Sequence, residues 1–143
     1  MVGYDEGNLL PQIQEIIGND QSLIIYGPTP KPELTLQGAD VLCLPSYREG
    51  FGTSVIEASL LGLAIVCSDT YGLMDTIVED KTGLRHKAGN VDSLYQQMKR
   101  LMDSSELRNY LGNNGRQYVL ENFSAELVSD YWLNFYMENF EAK

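Results

Sequence analysis

Positive charge is what this chain has least of. Ten lysines and arginines stand against twenty aspartates and glutamates in 143 residues, for a formal charge of −10. Nucleic-acid binders displace counterions with clustered Lys and Arg, so this composition argues against nucleic acid as a partner. An anionic ligand would need local help from helix N-termini rather than from the overall field. Cysteine is also scarce. Cys43 and Cys67 each sit in a short apolar run and read as packed thiols in strands, which points to a reducing, cytoplasmic setting. The only histidine, His86, lies between Arg85 and Lys87 and reads as a solvated edge residue. With no second histidine or nearby cysteine it makes no metal site. No apolar run reaches the roughly 18–20 residues that span a bilayer. No secretory signal opens the chain, and no Ser-His-Asp or Cys-His set emerges.

What is present suits one α/β domain, since about two-thirds of the unfolded surface can be buried at this length. No repeat, low-complexity tract or long charge run divides it. Met1 to Gly3 reads as the tail of a strand, Asn8 to Ile17 as a helix, and Leu23 to Tyr26 as a β-type run ended by Gly27-Pro28-Thr29-Pro30. A short helix around Glu33 to Gln37 precedes a strand at Val41 to Leu44. A helix from Thr53 or Ser54 to Leu61 stops at Gly62, and Ala64 to Cys67 is the next strand. Gly72 to Val78 reads as a brief helix and Gly83 to Arg85 as a last short strand. This alternation has the spacing of parallel βαβ units. Beyond Gly89 all is helical. Asn90 or Asp92 caps a helix with Leu94, Met98, Leu101 and Met102 inward. Ser104 or Ser105 caps the next, with Leu107, Tyr110, Leu111 and Val119 inward and Gly112 and Gly115 weakening its middle. Ser124 starts the last helix, whose Tyr131, Trp132, Phe135, Tyr136 and Phe140 read as core and interface contacts.

Chemistry concentrates between residues 45 and 62. Glu49 and Glu57 flank the turn Gly50-Phe51-Gly52, which follows a strand and opens a helix. Such a turn offers backbone N–H groups to an anion, and carboxylates beside it can accept hydrogen bonds from sugar or ribose hydroxyls. In an open parallel sheet the ligand crevice lies beyond the carboxyl ends of the strands. Pro45 to Gly52, Gly27-Pro28 and Ser68 to Gly72 are therefore expected to border one crevice. Two structural readings compete. The glycines could merely shape a turn, and Ser54-Val55-Ile56-Glu57 has the form of a capping box, which would explain Glu57 with no ligand.

Ala39-Asp40, Pro45-Ser46, Glu49-Gly50-Phe51-Gly52 and Glu57-Ala58 resemble the donor motif of the group 1 (family four) glycosyltransferases. The likeness continues through Gly62, Val66, Ser68-Asp69, Gly72-Leu73, Thr82-Gly83-Leu84, Leu107-Arg108 and Phe123-Ser124, covering roughly residues 22 to 140. The resemblance implies a Rossmann-like parallel sheet flanked by helices, one half of a two-domain GT-B enzyme with a helical C-terminus. It implies that Glu57 accepts hydrogen bonds from the nucleotide ribose and that Glu49 is the catalytic carboxylate beside the donor sugar. Gly50, Phe51, Gly52, Thr53 and Ser54 would border the sugar or diphosphate, and Gly27 and Pro28 the nucleobase. The donor would be a UDP-, GDP- or ADP-sugar, with no metal cofactor.

The family's turn that brings an arginine and a lysine to the phosphates has no match here. Nor does its N-terminal acceptor domain. Arg48 is a candidate substitute cation, though a solvent-facing one. Residues 1–143 thus read as the donor-binding C-terminal domain of a retaining hexosyltransferase. The variants most like it suggest bacterial surface-polysaccharide synthesis, with a lipid-linked acceptor at the inner membrane face. A non-catalytic nucleotide-sugar-binding module and a sugar-nucleotide 2-epimerase remain alternatives.

Overall fold

Three apolar runs too short for helices pair as a parallel sheet in the computed structural model, which describes residues 1–5 and 7–140. They are β1 (Val41–Leu44), β2 (Ala64–Ser68) and β3 (Leu84–His86), in spatial order β1-β2-β3. Val41 stands opposite Ala64, and Val66 opposite Leu84. Every residue of β2 is buried, as a central strand covered on both faces requires. Its side chains alternate between two cores. Ile65 and Cys67 join Val55, Ala58, Leu63, Leu73 and Ile77, while Ala64 and Val66 join Leu84, Leu101 and Leu111. Burial pushes the Cys67 thiol up to about 12 and raises that of Cys43, and both cysteines are free. Packed thiols were expected at these positions.

Six helices are assigned among the described residues. They are α1 (Leu10–Ile17), α2 (Pro32–Gln37), α3 (Thr53–Leu60), α4 (Val91–Asp103), α5 (Ser105–Asn122) and α6 (Ala125–Phe140). Two compact units result, Met1–Thr35 and Leu36–Lys143, dividing inside α2 where no composition shift marks a boundary. In the first unit, the expected strands are not regular strands. Residues 1–3 and 24–27 instead share isolated ladder-type bonds, Tyr26 N–H to the Met1 carbonyl at 2.8 Å and Gly3 N–H to the Gly27 carbonyl at 3.0 Å. The Asp5 carboxylate receives the Leu9 and Leu10 amides at the start of α1.

In the second unit, helix caps fall where Ser and Asn were read. Asn90 accepts from Ser93 N–H, Ser104 from Leu107 N–H and Ser124 from Leu127 N–H. Between β2 and β3 the expected brief helix is only a 3-10 turn at Tyr71–Leu73. Met102 and Tyr110 are exposed, so the inward stripes are narrower than their apolar spacing suggested. The aromatics of α6 are a clearer correction as far as a core is concerned. Tyr131, Trp132, Phe135, Tyr136 and Phe140 are all more than half exposed, and α6 buries no residue. Trp132, Phe135, Tyr136 and Phe140 contact one another along the helix rather than entering a core.

The two glycines of α5 also acquire a purpose. A Cβ on Gly112 would collide with the Gly62 carbonyl oxygen, and one on Gly115 would lie 3.1 Å from the Thr82 carbonyl oxygen. Gly62 itself ends α3 with φ +79, a conformation costly to other residues. The lost helix propensity thus secures a backbone-to-backbone approach of α5 to the α3–β2 turn. Nearby, the buried Ser59 hydroxyl has no partner among the described residues. Gly112→Ala should therefore destabilise by about 2–3 kcal/mol despite alanine's better propensity. Ser59→Ala should be neutral or stabilise by up to about 1 kcal/mol. Denaturant titration of both variants checks the opposite signs.

Candidate functional site

The carboxyl ends of β1, β2 and β3 lie along one edge of the sheet, and the segments leaving them gather where ligands bind in open parallel sheets. Beyond β1 the chain runs Pro45-Ser46-Tyr47-Arg48-Glu49 into the Gly50-Phe51-Gly52 turn and α3. The Ser46 hydroxyl donates 2.7 Å to Glu49 Oε1, which fixes the half-buried carboxylate. Arg48, by contrast, is exposed and makes no ion pair among the described residues.

The opposite wall is the Tyr71–Leu73 turn beyond β2, and it meets the first wall through backbone. Gly52 N–H donates 3.2 Å to the Gly72 carbonyl. A side chain on Gly72 would overlap the Glu49 carbonyl and the Gly50 backbone. A Cβ on Gly52 would lie 2.5 Å from Leu73 Cδ2. Both glycines are therefore demanded by packing. Gly50 is different, because a Cβ there would meet nothing within 4 Å. No contact among the described residues explains a glycine at this position, and the space above it is open.

The remaining amides sort in the same way. Thr53 N–H bonds the Phe51 carbonyl and Val55 N–H the Gly52 carbonyl, whereas Gly50, Phe51 and Ser54 N–H find no acceptor among the described residues. These three amides, at the positive end of α3, form the anion-receptive part of the turn. Glu57 is exposed one turn into α3. The capping box does not form. The helix starts at Thr53 with Gly52 as its cap residue, so Ser54 already lies inside it, and no side chain caps this end. Thr53 and Ser54 are exposed at the helix start. Gly27 and Pro28 belong to the first unit, where Gly27 turns the chain with φ +61.

Several supporting residues had no role in the sequence reading. Arg85 projects its guanidinium onto the Met74 carbonyl at 2.7 Å and onto the Ile77 carbonyl, with Glu79 at 3.8 Å. It thereby holds the segment that follows the Tyr71–Leu73 turn. His86 is not a solvated edge residue but is 3% exposed. Its Nδ1 lies 3.0 Å from the Lys87 carbonyl and its Nε2 3.2 Å from the Ser68 hydroxyl, so the strand ends of β2 and β3 satisfy both ring nitrogens. Asp69 completes this seam, donating its N–H to the His86 carbonyl and accepting from Ala88 N–H at 2.8 Å. Only Ser46 left a local signal, its position three residues before a carboxylate in a turn.

The chain matches the family described as glycosyl transferases group 1 over residues 3–118. It is 36% identical over 101 residues to the N,N'-diacetylbacillosaminyl-diphospho-undecaprenol alpha-1,3-N-acetylgalactosaminyltransferase of Campylobacter jejuni, covering 71% of this chain and 27% of that protein. It is 32% identical over 89 residues to the capsular polysaccharide biosynthesis glycosyltransferase CapM of Staphylococcus aureus, covering 62% of this chain and 23% of that protein. The chain thus spans about a quarter of the length of these relatives. In fold it superposes on Anabaena HepE, solved in complex with UDP, with a TM-score of 0.87 at 16% identity, over 96% of this chain and 40% of that one. The expected architecture, a parallel sheet flanked by helices with a helical C-terminus as in GT-B glycosyltransferases, is the one observed.

The glycines and Glu57 separate packing from ligand roles. Gly52→Ala and Gly72→Ala should lower stability by about 2 kcal/mol or more. Gly50→Ala and Glu57→Gln should leave the melting temperature within about 2 °C of the unaltered chain. Thermal unfolding of the four variants checks this division. A large loss in Gly50→Ala or Glu57→Gln would return those residues to the scaffold.

Proposed function

The chain belongs to the group 1 glycosyl transferases, and on that footing we propose that it binds the nucleotide-sugar donor of a retaining hexosyltransferase. The observation that carries this reading is the open turn itself. Gly50 has no packing reason to be glycine, three amides at the start of α3 await an acceptor, and Glu49 and Glu57 flank them without a capping duty. A diphosphate accepts from the amides of Gly50, Phe51 and Ser54, with Gly52 and Thr53 shaping the turn beneath it. The helix terminus offsets leaving-group charge and the reaction calls on no metal. The exposed Glu57 carboxylate accepts from two ribose hydroxyls.

Glu49, oriented by Ser46, holds the donor hexose and stabilises positive charge at its anomeric carbon. The bond from that carbon to the diphosphate oxygen breaks, and an acceptor hydroxyl bonds to the carbon on the same face and passes its proton to the departing diphosphate oxygen, so the configuration is inherited. A partner domain of the whole enzyme supplies the acceptor. A lipid-linked glycan acceptor in surface-polysaccharide synthesis fits the activities named for the Campylobacter and Staphylococcus relatives. An enzyme acting on it would work at the cytoplasmic membrane face. No helix among the described residues is long and apolar enough to cross that membrane itself.

UDP-sugars are the first donors to test, because the solved relative in fold carries UDP. Calorimetric titration of the chain with UDP, GDP, ADP and their sugars should show saturable binding of one base. Glu57→Gln should weaken it about 10-fold to 100-fold through the lost charge-assisted bonds. Glu49→Gln should leave nucleoside diphosphate binding within about twofold and abolish transfer in the full-length enzyme. Binding without transfer by the full-length enzyme would favour a non-catalytic module, and epimerised free donor an isomerase. Equal affinity of the Glu57→Gln chain would remove the ribose role.

A further inference from the structure

The turn at the centre of the crevice is flanked by two glycines, which do little to fix their own torsions. Something outside the turn must hold it. On the Gly52 side that support is the Gly72 carbonyl. On the Phe51 side it is an aromatic contact with the far end of the chain. The rings of Phe51 and Phe123 lie with centroids 5.9 Å apart, and Tyr118 meets Phe123 edge-on, also at 5.9 Å. The Tyr118 hydroxyl donates 3.0 Å to the Asp75 carbonyl, in the segment that follows the Tyr71–Leu73 turn. One ring therefore touches the first wall of the crevice directly and is tied to the second through Tyr118.

Phe123 also occupies a mechanical junction. It is the residue that ends α5, its N–H bonded to the Val119 carbonyl, and the next residue, Ser124, caps α6. Because α6 buries none of its residues, the direction of that helix is set at its first turn, beside Phe123. We propose that Phe123 is a positioning residue of the donor crevice. It aims the Phe51 amide by holding the Phe51 ring, and the same contact couples occupancy of the crevice to the start of α6. The inference rests on the donor reading above. A diphosphate that accepts from Phe51 N–H orders the residue whose side chain Phe123 grips, so the α5–α6 junction tightens when the crevice fills. By reciprocity, whatever immobilises α6 raises donor affinity by the same factor.

Hydrogen exchange read by mass spectrometry tests this on the full chain, with and without saturating UDP (or GDP or ADP, whichever the titration shows to bind). In the unaltered chain the nucleotide should protect both residues 50–54 and the distant peptide 119–128. Phe123→Leu should weaken nucleotide binding about fivefold or more and confine protection to residues 50–54. Phe123→Tyr, which keeps the ring, should restore both. An unaltered chain that binds nucleotide without protecting 119–128 overturns the proposal, and decides the matter even if Phe123→Leu is too unstable to assay. Unchanged affinity together with unchanged protection in Phe123→Leu overturns it equally. If none of the three nucleotides binds, the donor reading falls and this inference with it.

Discussion

Two stretches of backbone touch where the crevice closes, and the site's geometry follows from that contact. The Tyr71–Leu73 turn lies so near the Glu49–Gly50 backbone that only glycine fits at position 72, while the Gly52 amide closes the approach with a hydrogen bond. Two side-chain-free surfaces meet, so the distance between the walls is set by main-chain atoms, which have no rotamers to relax. Glu49 inherits its location from this contact and its orientation from Ser46. The start of α3 inherits its direction in the same way, and with it the three unbonded amides. Arg85 protects the arrangement from behind by bonding the carbonyls of Met74 and Ile77.

An acidic chain that is to hold an anion has few cations to offer, and this one uses a well-placed cation for structure. Arg85 is engaged with carbonyls and Glu79, while Arg48 stands in solvent. On the proposed donor reading, attraction for a diphosphate would rest on amide dipoles. These are weak in water but effective where a crevice excludes it, and they need no reorganisation when the ligand arrives. The two glutamates beside them add negative charge, so this site suits a ligand that presents hydroxyls to the carboxylates and phosphate oxygens to the helix end.

Much of this was legible in residue order. The strands announced themselves as apolar runs between turn signals, and the glutamate pair around Gly50-Phe51-Gly52 singled out the turn that joins β1 to α3. The misreadings share one cause, that a linear pattern does not show what lies across from it. Ser54 and Glu57 have capping-box spacing, but α3 begins two residues too early to use it. His86 sits among charges in sequence, yet a three-residue strand has too little period to tell its faces apart, and Ser68 supplies a partner 18 positions away. Gly112 reads as a helix weakness until the Gly62 carbonyl appears opposite it. On α6 the aromatics were expected as core and interface contacts, and only the core half is overturned, because nothing in a spacing says whether another surface of the chain is there to cover it. Composition likewise gave no hint that the chain divides within α2.

The sheet's spatial order, β1-β2-β3, is also its order along the chain. Each parallel pairing therefore closes a connection of only roughly 15 to 20 residues, short for a crossover and inexpensive in loop entropy. No strand has to wait for a distant one to be synthesised before it finds its neighbour. The β1–α3–β2 portion, which carries Glu49 and Glu57, can assemble as it emerges from the ribosome and serve as a template for β3 and the helices behind it. The two candidate-site carboxylates thus lie in the part of the second unit whose contacts are most local, and so earliest to fold.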